Sequence, residues 1–358
     1  MEVNPMRRHV SVLLAALLVV SSFAPVATAQ SDDEPGSTVE CAFPLEVTDA
    51  TGETITLEEA PESVVALQPS DAQTMFEIGA EDRLVGMPDN PATSGLESGD
   101  RTAVTDGYEV LSERVVDLDP DLVLAANVTR DGTIDQLRSA GLTVYHFADA
   151  ESLADVRENV ATTGRLTDEC DGAAETIDWM DEQLGIVERA LEGEDRPLAY
   201  YAMGDDGQTA GTETFIHEVL TTAGVENVAE RAGISSWEQL NPETVVDENP
   251  DWIIYPDHRD EPPIPASVEA TTAYRDDNVL AVDANRISQP APQVVSAVVE
   301  IVETIHPDAY EQASADLETT DAGDERGDAE GGENAIPGFG VPAAVVALLA
   351  VGFVARRR

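Results

Sequence analysis

The side chains best suited to catalysis or metal binding are scattered along this sequence. The histidines that follow the N-terminal segment, His146, His217, His258 and His306, show none of the short spacings typical of zinc ligands. No Gly-x-Ser-x-Gly elbow and no phosphate-binding glycine loop occurs. Carboxylate pairs carry no information in a chain with 71 Asp and Glu residues. We therefore predict a protein that is not an enzyme and holds no metal or cofactor of its own.

One acidic segment occurs twice. Residues 112–124 read SERVVDLDPDLVL, and a very similar stretch, PETVVDENPDWII, returns at 242–254. Each copy places a glutamate, Glu113 or Glu243, ahead of a Val-Val pair and a Pro-Asp dipeptide. A helix that starts here would account for either glutamate alone, because the positive end of a helix dipole stabilises a carboxylate. That alternative gives no reason why both copies keep the acid at the same place.

Polar and aromatic side chains stand near the ends of the predicted strands, where open α/β sheets bind their ligands. The candidate ligand-binding residues are Ser70, Tyr108, Asn127, Trp237, Asp257, His258 and Arg286. Core packing is the alternative for Trp237, and a surface ion pair is the alternative for Arg286. Asn127 also begins an Asn-Val-Thr sequon, and a glycan there would compete with ligand binding.

Two blocks of alternating strands and helices must position these residues. Apolar strand patterns alternate with helical patterns within residues 61–150, and the same order restarts within 197–310. Such alternation predicts parallel sheets covered on both faces. Apolar residues at steps of three and four from 167 to 191 predict one long helix inside an interlobe linker at 151–196. We predict an α/β fold of two Rossmann-like lobes with parallel sheets, joined by a single long rigid helix.

Shorter segments flank the lobes. Residues 30–60 form an N-terminal segment. Within it, FPLEVTDATGETITLEE alternates apolar and polar side chains around an Ala-Thr-Gly turn, which predicts a β-hairpin. Residues 311–335 are rich in Asp, Glu and Gly and predict an acidic, disordered stalk.

Both ends of the sequence carry targeting patterns. Residues 1–29 combine paired arginines, an apolar stretch and an Ala-Thr-Ala cleavage pattern, which predicts an export signal for either the twin-arginine or the general secretory route. Residues 336–358 form an apolar tail, closed by three arginines, that is long enough to cross a bilayer. We expect an exported protein anchored to the outer face of the cytoplasmic membrane.

The charge balance excludes some partners. Lys and Arg number 19 against 71 Asp and Glu, a net charge of −52. Such a surface repels nucleic acid, so we predict no nucleic-acid partner. Hydrophobic residues make up 42% of the sequence and recur in periodic runs, which indicates a packed protein. The high charge therefore does not indicate disorder. At molar salt the screening length falls to about 3 Å, so the acidity indicates a halophilic organism rather than a function.

Cys41 and Cys170 are the only cysteines in the sequence. A pair of cysteines in an exported protein predicts a disulfide. This bond would tie the N-terminal segment to the helix in the middle of the chain.

The order of the segments resembles that of ABC-transporter substrate-binding proteins for cobalamin and iron(III)-siderophores. The resemblance covers roughly residues 43–306 and is carried by SVVALQPSDAQTMFEIGAEDRLVGM, SERVVDLDPDLVLA, TAGTETFIHEVLTTAGVENV and SWEQLNPETVVDENPDWII. In that family a rigid helix bridges two lobes, the ligand lies in the cleft, and one surface glutamate per lobe docks on arginines of the permease. The resemblance assigns docking to Glu113 and Glu243. Cobalamin-binding relatives have an aromatic residue at the position of Trp237; the other lobe has Gly107 there, with Tyr108 beside it.

The tail resembles the Pro-Gly-Phe sorting signals of archaeal surface proteins through Pro337, Gly338 and Phe339. This resemblance implies that an archaeosortase removes the tail and that a lipid takes its place. An ordinary membrane-spanning tail is the alternative.

Together these resemblances imply a monomer that captures a large metal chelate, a small-molecule ligand, between two lobes and delivers it to an ABC permease and its ATPase. We expect the transported ligand to be a corrinoid, with an iron(III)-siderophore or haem as alternatives. A cleft enzyme would need a cluster of histidines or carboxylates. A surface adhesion protein would give no reason for the repeated glutamate.

Overall fold

The computed structural model describes residues 39–324. Its strands are, in chain order, β1 (Leu45–Thr48), β2 (Thr54–Leu57), β3 (Val64–Ala66), β4 (Leu84–Met87), β5 (Thr102–Ala103), β6 (Thr105–Asp106), β7 (Glu109–Val110), β8 (Leu122–Ala125), β9 (Val144–His146), β10 (Leu198–Tyr201), β11 (Gln208–Ala210), β12 (Glu226–Asn227), β13 (Trp237–Gln239), β14 (Trp252–Pro256) and β15 (Val279–Val282). Its α-helices are α1 (Pro69–Glu77), α2 (Ser112–Leu118), α3 (Asp131–Ser139), α4 (Leu153–Thr167), α5 (Cys170–Ala190), α6 (Phe215–Thr222), α7 (Val228–Arg231), α8 (Pro242–Glu248), α9 (Thr272–Arg275), α10 (Ala284–Ile287), α11 (Val294–Ile305) and α12 (Pro307–Asp324).

The predicted export signal and the sorting tail lie outside the described residues. Within residues 39–324, none of the helices is both long and apolar enough to cross a membrane.

The first lobe is built on a five-stranded parallel sheet with the order β5-β4-β3-β8-β9. Its central strands, β3 and β8, consist of Val, Ala and Leu and are buried along their whole length. Strands of this composition are typical of sheets that are covered on both faces. The predicted parallel sheet of this lobe is confirmed.

The second lobe repeats this plan with a four-stranded parallel sheet, in the order β12-β10-β14-β15. In each lobe the repeated sequence forms a short helix and then a central strand. That strand, β8 or β14, pairs with the first strand of its own sheet, β3 or β10. The sequence repeat is therefore a repeat of structure.

Three small antiparallel sheets accompany the large ones. β1 and β2 form the predicted hairpin, which turns at Gly52 with a φ of +82°. The pairs β6–β7 and β11–β13 stand shortly before α2 and α8, respectively. The sequence does not predict these two pairs, because strands of two or three residues carry no readable alternation.

The interlobe helix is α5, which spans 21 residues. The sequence predicted a helix from residue 167, but α4 ends at Thr167 and Asp168 adopts a left-handed conformation with a φ of 61°. The new helix begins at Cys170, which forms the predicted disulfide with Cys41. Near its start α5 packs closely on α1, since a Cβ on Gly172 would lie 2.0 Å from the carbonyl oxygen of Ile78.

The start of the predicted disordered stalk is helical. α12 extends to Asp324, so the prediction is wrong for residues 311–324. Tyr310 packs on the main apolar cluster and Ala313 is buried in it, and α12 lies along α5. The high acidic content of the segment hid this apolar contact in the sequence.

One apolar cluster passes through both lobes. It contains Val64 and Leu124 of the first sheet, Met180 of α5, and Tyr201 and Val298 of the second lobe, each fully buried. Smaller clusters cover the opposite face of each sheet. The two lobes therefore share part of their core.

Hydrogen bonds also cross between the lobes. The backbone N–H of Gln293 donates to Oε1 of Gln73 at 3.2 Å, and its side-chain Nε2 donates to Oε1 of Glu77 at 3.0 Å. Nearby, Nε2 of Gln289 donates to the carbonyl oxygen of Ala92 at 2.9 Å. These bonds link α1 and the segment at Ala92 to the start of α11.

Candidate functional site

The two copies of the repeated unit have the same backbone geometry. α2 and α8 each span seven residues. Both end at a residue in the left-handed conformation, Asp119 with a φ of 46° and Asn249 with a φ of 48°. Asp and Asn tolerate this conformation better than other non-glycine residues do. The side chains of the two units therefore point in corresponding directions within their lobes.

Most of the shared residues have a structural task. Val115 and Val245 are fully buried beneath their helices. Oδ2 of Asp121 accepts hydrogen bonds from the side chain and the backbone N–H of Ser63, which precedes the neighbouring strand. Oδ2 of Asp251 accepts from the N–H of Leu198 at 2.9 Å, in the same place in the other lobe. The hydrogen bond from the Ser63 hydroxyl, supported by backbone N–H groups, lowers the pKa of Asp121.

The two glutamates are the conspicuous exception. Glu113 and Glu243 are both exposed, and each is the second residue of its helix. Among residues 39–324, neither carboxylate has a hydrogen-bond or ion-pair partner. Asn241 caps α8 by accepting from the N–H of Glu243 at 2.9 Å, whereas no side chain caps α2. Docking through the two glutamates stays a prediction, and each carboxylate also lies in the first turn of its helix, where the positive end of the helix dipole stabilises it.

In the first lobe the structure brings Ser70 and Asn127 together. Both line a small cavity of about 20 Å³ at the carboxyl ends of β3 and β8, and Pro290 of the second lobe also lines it. Asn127 donates from Nδ2 to Oδ1 of Asp149 at 2.6 Å. Its amide is therefore already engaged on the cavity wall.

Asp71 is a member of this cavity that the sequence analysis missed. Its side chain is buried, and Oδ2 accepts from the N–H groups of Gln68 at 3.1 Å and Ala126 at 3.0 Å. Burial raises the pKa of Asp71 to about 7, although these two hydrogen bonds oppose the shift. The position of Asp71 shortly after a buried strand could have identified it as a candidate, but the sequence does not show that its carboxylate is buried.

Tyr108 stands apart from that cavity, in the turn between β6 and β7, with 69% of its surface exposed. The adjacent Glu109 forms an ion pair with Arg130. The hairpin of Tyr108 thereby adjoins the loop that follows β8.

In the second lobe Trp237 begins β13, and 46% of its surface is exposed. It is thus not a core residue. Gln239 of the same strand donates to Oδ2 of Asp206 at 2.6 Å, and Arg259 pairs with Asp205 at 3.2 Å. These contacts link β13 to the loop at 205–206, and that loop to the exposed loop of His258. The two loops follow the carboxyl ends of β10 and β14 in the second sheet.

Asp257 and Arg286 lie elsewhere. They line a cavity of about 560 Å³ bounded by α5 and α11, together with Trp179 and Glu300. Arg286 is 3.9 Å from Asp283, which matches the ion-pair alternative. Burial raises the pKa of Glu300, and the positive charge of Arg286 opposes that shift. The structure does not bring these two candidates into the cavity of Ser70 and Asn127.

The histidines do not converge. Within residues 39–324, no group of three or more His, Cys, Asp and Glu side chains is arranged to hold a metal ion. His146 is buried in the first lobe, Nδ1 of His217 lies 3.3 Å from Nδ2 of Asn227, and His258 is exposed.

Comparison with family models and known sequences gives consistent matches. The family model described as "Periplasmic binding protein" matches residues 64–287, and the PGF-CTERM motif matches residues 336–358. A "Cobalamin-binding protein" of Halobacterium salinarum is 38% identical, covering 98% of this chain and 99% of its own length. An uncharacterized ABC transporter substrate-binding lipoprotein, YvrC of Bacillus subtilis, is 27% identical over 84% of this chain and 97% of its own.

Solved structures share the fold. The periplasmic heme-binding protein RhuT from Roseiflexus sp. RS-1 superposes with a TM-score of 0.61 at 21% identity, covering 70% of this chain and 99% of its own. The heme-binding protein HmuT gives a TM-score of 0.63 at 19% identity, covering 75% of this chain and 91% of its own. At these identities the likeness concerns the fold alone.

Proposed function

The chain belongs to the periplasmic binding proteins, and from that premise we propose that it captures a corrinoid between its two lobes and delivers it to an ABC permease. It is an exported protein anchored at the cell surface, as its PGF-CTERM tail indicates. We propose that an archaeosortase processes this tail.

One arrangement carries the ligand proposal. In each lobe a small antiparallel sheet stands before the repeated helix and presents an exposed aromatic side chain, Tyr108 in the first lobe and Trp237 in the second. Aromatic and apolar side chains with a few polar groups are typical of small-molecule sites. Two such side chains, one from each lobe, suit the flat face of a large macrocycle. The relative from Halobacterium salinarum, named for cobalamin binding, supports the choice of a corrinoid.

Delivery is proposed through the two glutamates. Glu113 and Glu243 occupy equivalent, exposed positions, and neither carboxylate has a hydrogen-bond or ion-pair partner within residues 39–324. Each could therefore pair with an arginine of the permease, one for each lobe. Exposed ion pairs contribute only about 1 kcal/mol or less, and high salt screens them further. Shape complementarity must accordingly supply much of the docking energy.

A second ligand class within the same family is haem or an iron(III)-siderophore. The solved structures that share the fold include heme-binding proteins. The exposed His258, at the same sheet edge as Trp237, gives this chain an imidazole that a haem iron could use. A corrinoid remains our main proposal because of the sequence relative.

Titration of the full-length protein in molar salt tests the ligand. Cyanocobalamin, a ferric siderophore and haemin are added separately, and tryptophan fluorescence is followed. We expect cyanocobalamin to quench the emission with micromolar affinity. In Trp237→Phe, emission from Trp179 and Trp252 persists while most of the ligand-induced quenching is lost.

Trp252→Phe is the matched control, since Trp252 packs partly buried against the core, and it should keep the quenching. Quenching by haemin or the siderophore alone would transfer the proposal to the second ligand class. If no chelate is bound, the proposed function is wrong.

A further inference from the structure

Val128 is an exposed apolar residue of the first lobe. Five large hydrophobic side chains within residues 39–324 are strongly exposed, and Val128 and Tyr108 are the most exposed of them, at 69% each. Val128 lies in the loop after β8, and Tyr108 lies in the turn between β6 and β7. Both belong to the first lobe. Single exposed apolar residues are common on proteins, so their surroundings decide whether they have a role.

The two side chains stand on adjoining segments. Arg130, two residues after Val128, forms an ion pair with Glu109, which follows Tyr108. Nδ2 of Asn90 donates to the carbonyl oxygen of Gly107 at 3.2 Å and so holds the other side of the hairpin turn. These contacts fix the turn of Tyr108 beside the loop of Val128.

Three hydrogen bonds hold the loop of Val128 on both sides of that residue. The N–H of Ala126 donates to Oδ2 of Asp71 at 3.0 Å, and Asn127 donates to Asp149. The hydroxyl of Thr129, which is only 3% exposed, accepts from Nε2 of Gln68 at 3.1 Å.

Ala126, Asn127 and Thr129 are therefore each hydrogen-bonded to the protein, while the apolar side chain of Val128 between them is exposed. A loop that served only as a connection would gain nothing by holding an apolar side chain in water. An exposed apolar side chain on a rigid loop suits a preformed binding wall, because a loop that is already ordered loses less entropy when the ligand binds.

We infer that Val128 contacts the transported chelate and forms, with Tyr108, the apolar wall of the first lobe, and that Asp71 and Gln68 are positioning residues for it. The inference rests on the proposed function and adds to it what the first lobe presents to the ligand. The ligand surface that fits such a wall is the flat, non-polar face of a metal macrocycle, opposite the face that meets Trp237.

The test measures affinity for whichever chelate the wild-type protein binds, by fluorescence titration in molar salt. Val128→Ser should weaken binding about tenfold, the usual effect of losing one buried aliphatic contact. Tyr274→Ser is the matched control, because Tyr274 is 39% exposed on α9 and has no part in the proposed wall. Val128→Ser with unchanged affinity would overturn the inference.

Positioning is tested by coupling between variants. Asp71→Ala removes the acceptor for Ala126 and should weaken binding, whereas Asp71→Asn keeps an oxygen acceptor and should restore most of the affinity. In the double variant with Val128→Ser, the loss should be smaller than the sum of the two single losses. Additive losses would show that Asp71 does not act through Val128.

If Asp71→Ala fails to fold by circular dichroism, Gln68→Ala replaces it, since it removes the bond to Thr129 and leaves the carboxylate of Asp71 in place. The outcome also separates the two proposals. A wild-type protein that binds no chelate overturns both, while a wild-type protein that binds, with Val128→Ser equally tight, overturns only this inference.

Discussion

Asp71 illustrates how burial in the fold changes the acidity of a single carboxyl group. Transfer of its carboxylate out of water raises its pKa from 3.8 to about 7, against the effect of two backbone N–H donors. In the folded protein Asp71 therefore holds a proton more tightly than in the unfolded chain. Its contribution to stability is present below pH 3.8 and is lost as the pH rises through about 7.

Asp71→Asn should remove this dependence. The shift from 3.8 to about 7 corresponds to at most about 4 kcal/mol of stability lost over that pH range. We expect the variant to be about 1–3 kcal/mol more stable than the wild-type protein at pH 8, with the gap closing towards pH 4. Urea denaturation in molar salt at several pH values measures the difference.

Asp121→Asn is the control of opposite sign. Hydrogen bonds lower the pKa of Asp121, so its stabilisation is present above pH 3.8 and is lost as the pH falls through its folded pKa. This variant should be less stable than wild type at pH 8. A gap of the same sign for both variants would contradict the interpretation of Asp71.

At the scale of single residues, the sequence identified functional candidates where the type of side chain is unusual for its location. Trp237 and Tyr108 are aromatic residues beside predicted loops, and the exposure of both agrees with a surface role. Asp71 and Val128 escaped prediction for opposite reasons. An acid is ordinary in so acidic a chain, and a valine becomes informative only when its exposure is known.

At the scale of elements, the repeated unit separates structural from functional residues. Val115 and Asp121 in one lobe, and Val245 and Asp251 in the other, serve the fold in corresponding ways. A repeat retained for folding alone would be complete with these contacts. The exposed glutamate at the start of α2 and α8 is the part of the unit that points to a partner.

Charge reversal of both glutamates tests that assignment. Glu113→Arg with Glu243→Arg should abolish uptake of the chelate by cells and leave its binding to the purified protein unchanged, because the contacts with the permease become repulsive. Radiolabelled uptake and fluorescence titration provide the two measurements.

Glu182→Arg is the control, since Glu182 is an exposed residue of α5 outside the repeated unit. It should leave uptake intact. Normal uptake in the double variant would return both glutamates to the role of stabilising their helix ends.

Elements with strong periodicity were predictable, and elements defined by tertiary contact were not. The buried strands β3 and β8 are short runs of Val, Leu and Ala, and this composition made them predictable. The break at Asp168 depends on one backbone conformation. The helical start of the stalk depends on packing against α5, which no local pattern reveals.

At the scale of the whole molecule, the two lobes are less independent than their separate sheets indicate. One apolar cluster includes residues of both sheets and of α5, and Gln293 bonds to two residues of α1. A wide hinge motion would expose that shared core. Capture of the ligand should therefore involve small adjustments of the cleft edges.

Small-angle X-ray scattering checks this expectation. The radius of gyration of the wild-type protein should not change measurably when the chelate is added, because closure around a hinge would break the shared core. A clear contraction on binding would contradict it. Replacing Gln293 with alanine removes the bond from Nε2 to Glu77 and should permit a small contraction that the wild-type protein does not show.

The general architecture was predictable from the order of strands and helices, since strands that alternate with helices form parallel sheets. The shared core was not predictable. It depends on which faces of α1, α5 and α11 pack together. The sequence pattern shows the apolar face of each helix but not the element that packs against it.

The attachments of α5 have a mechanical consequence. The disulfide fastens Cys41 to the first residue of this helix, and α12, which precedes the anchoring tail in the chain, packs along it. We therefore expect a pull on the anchored end to reach α12 and α5 first. Force applied at the tail would then be shared by the helical layer before it reaches the ligand-binding loops.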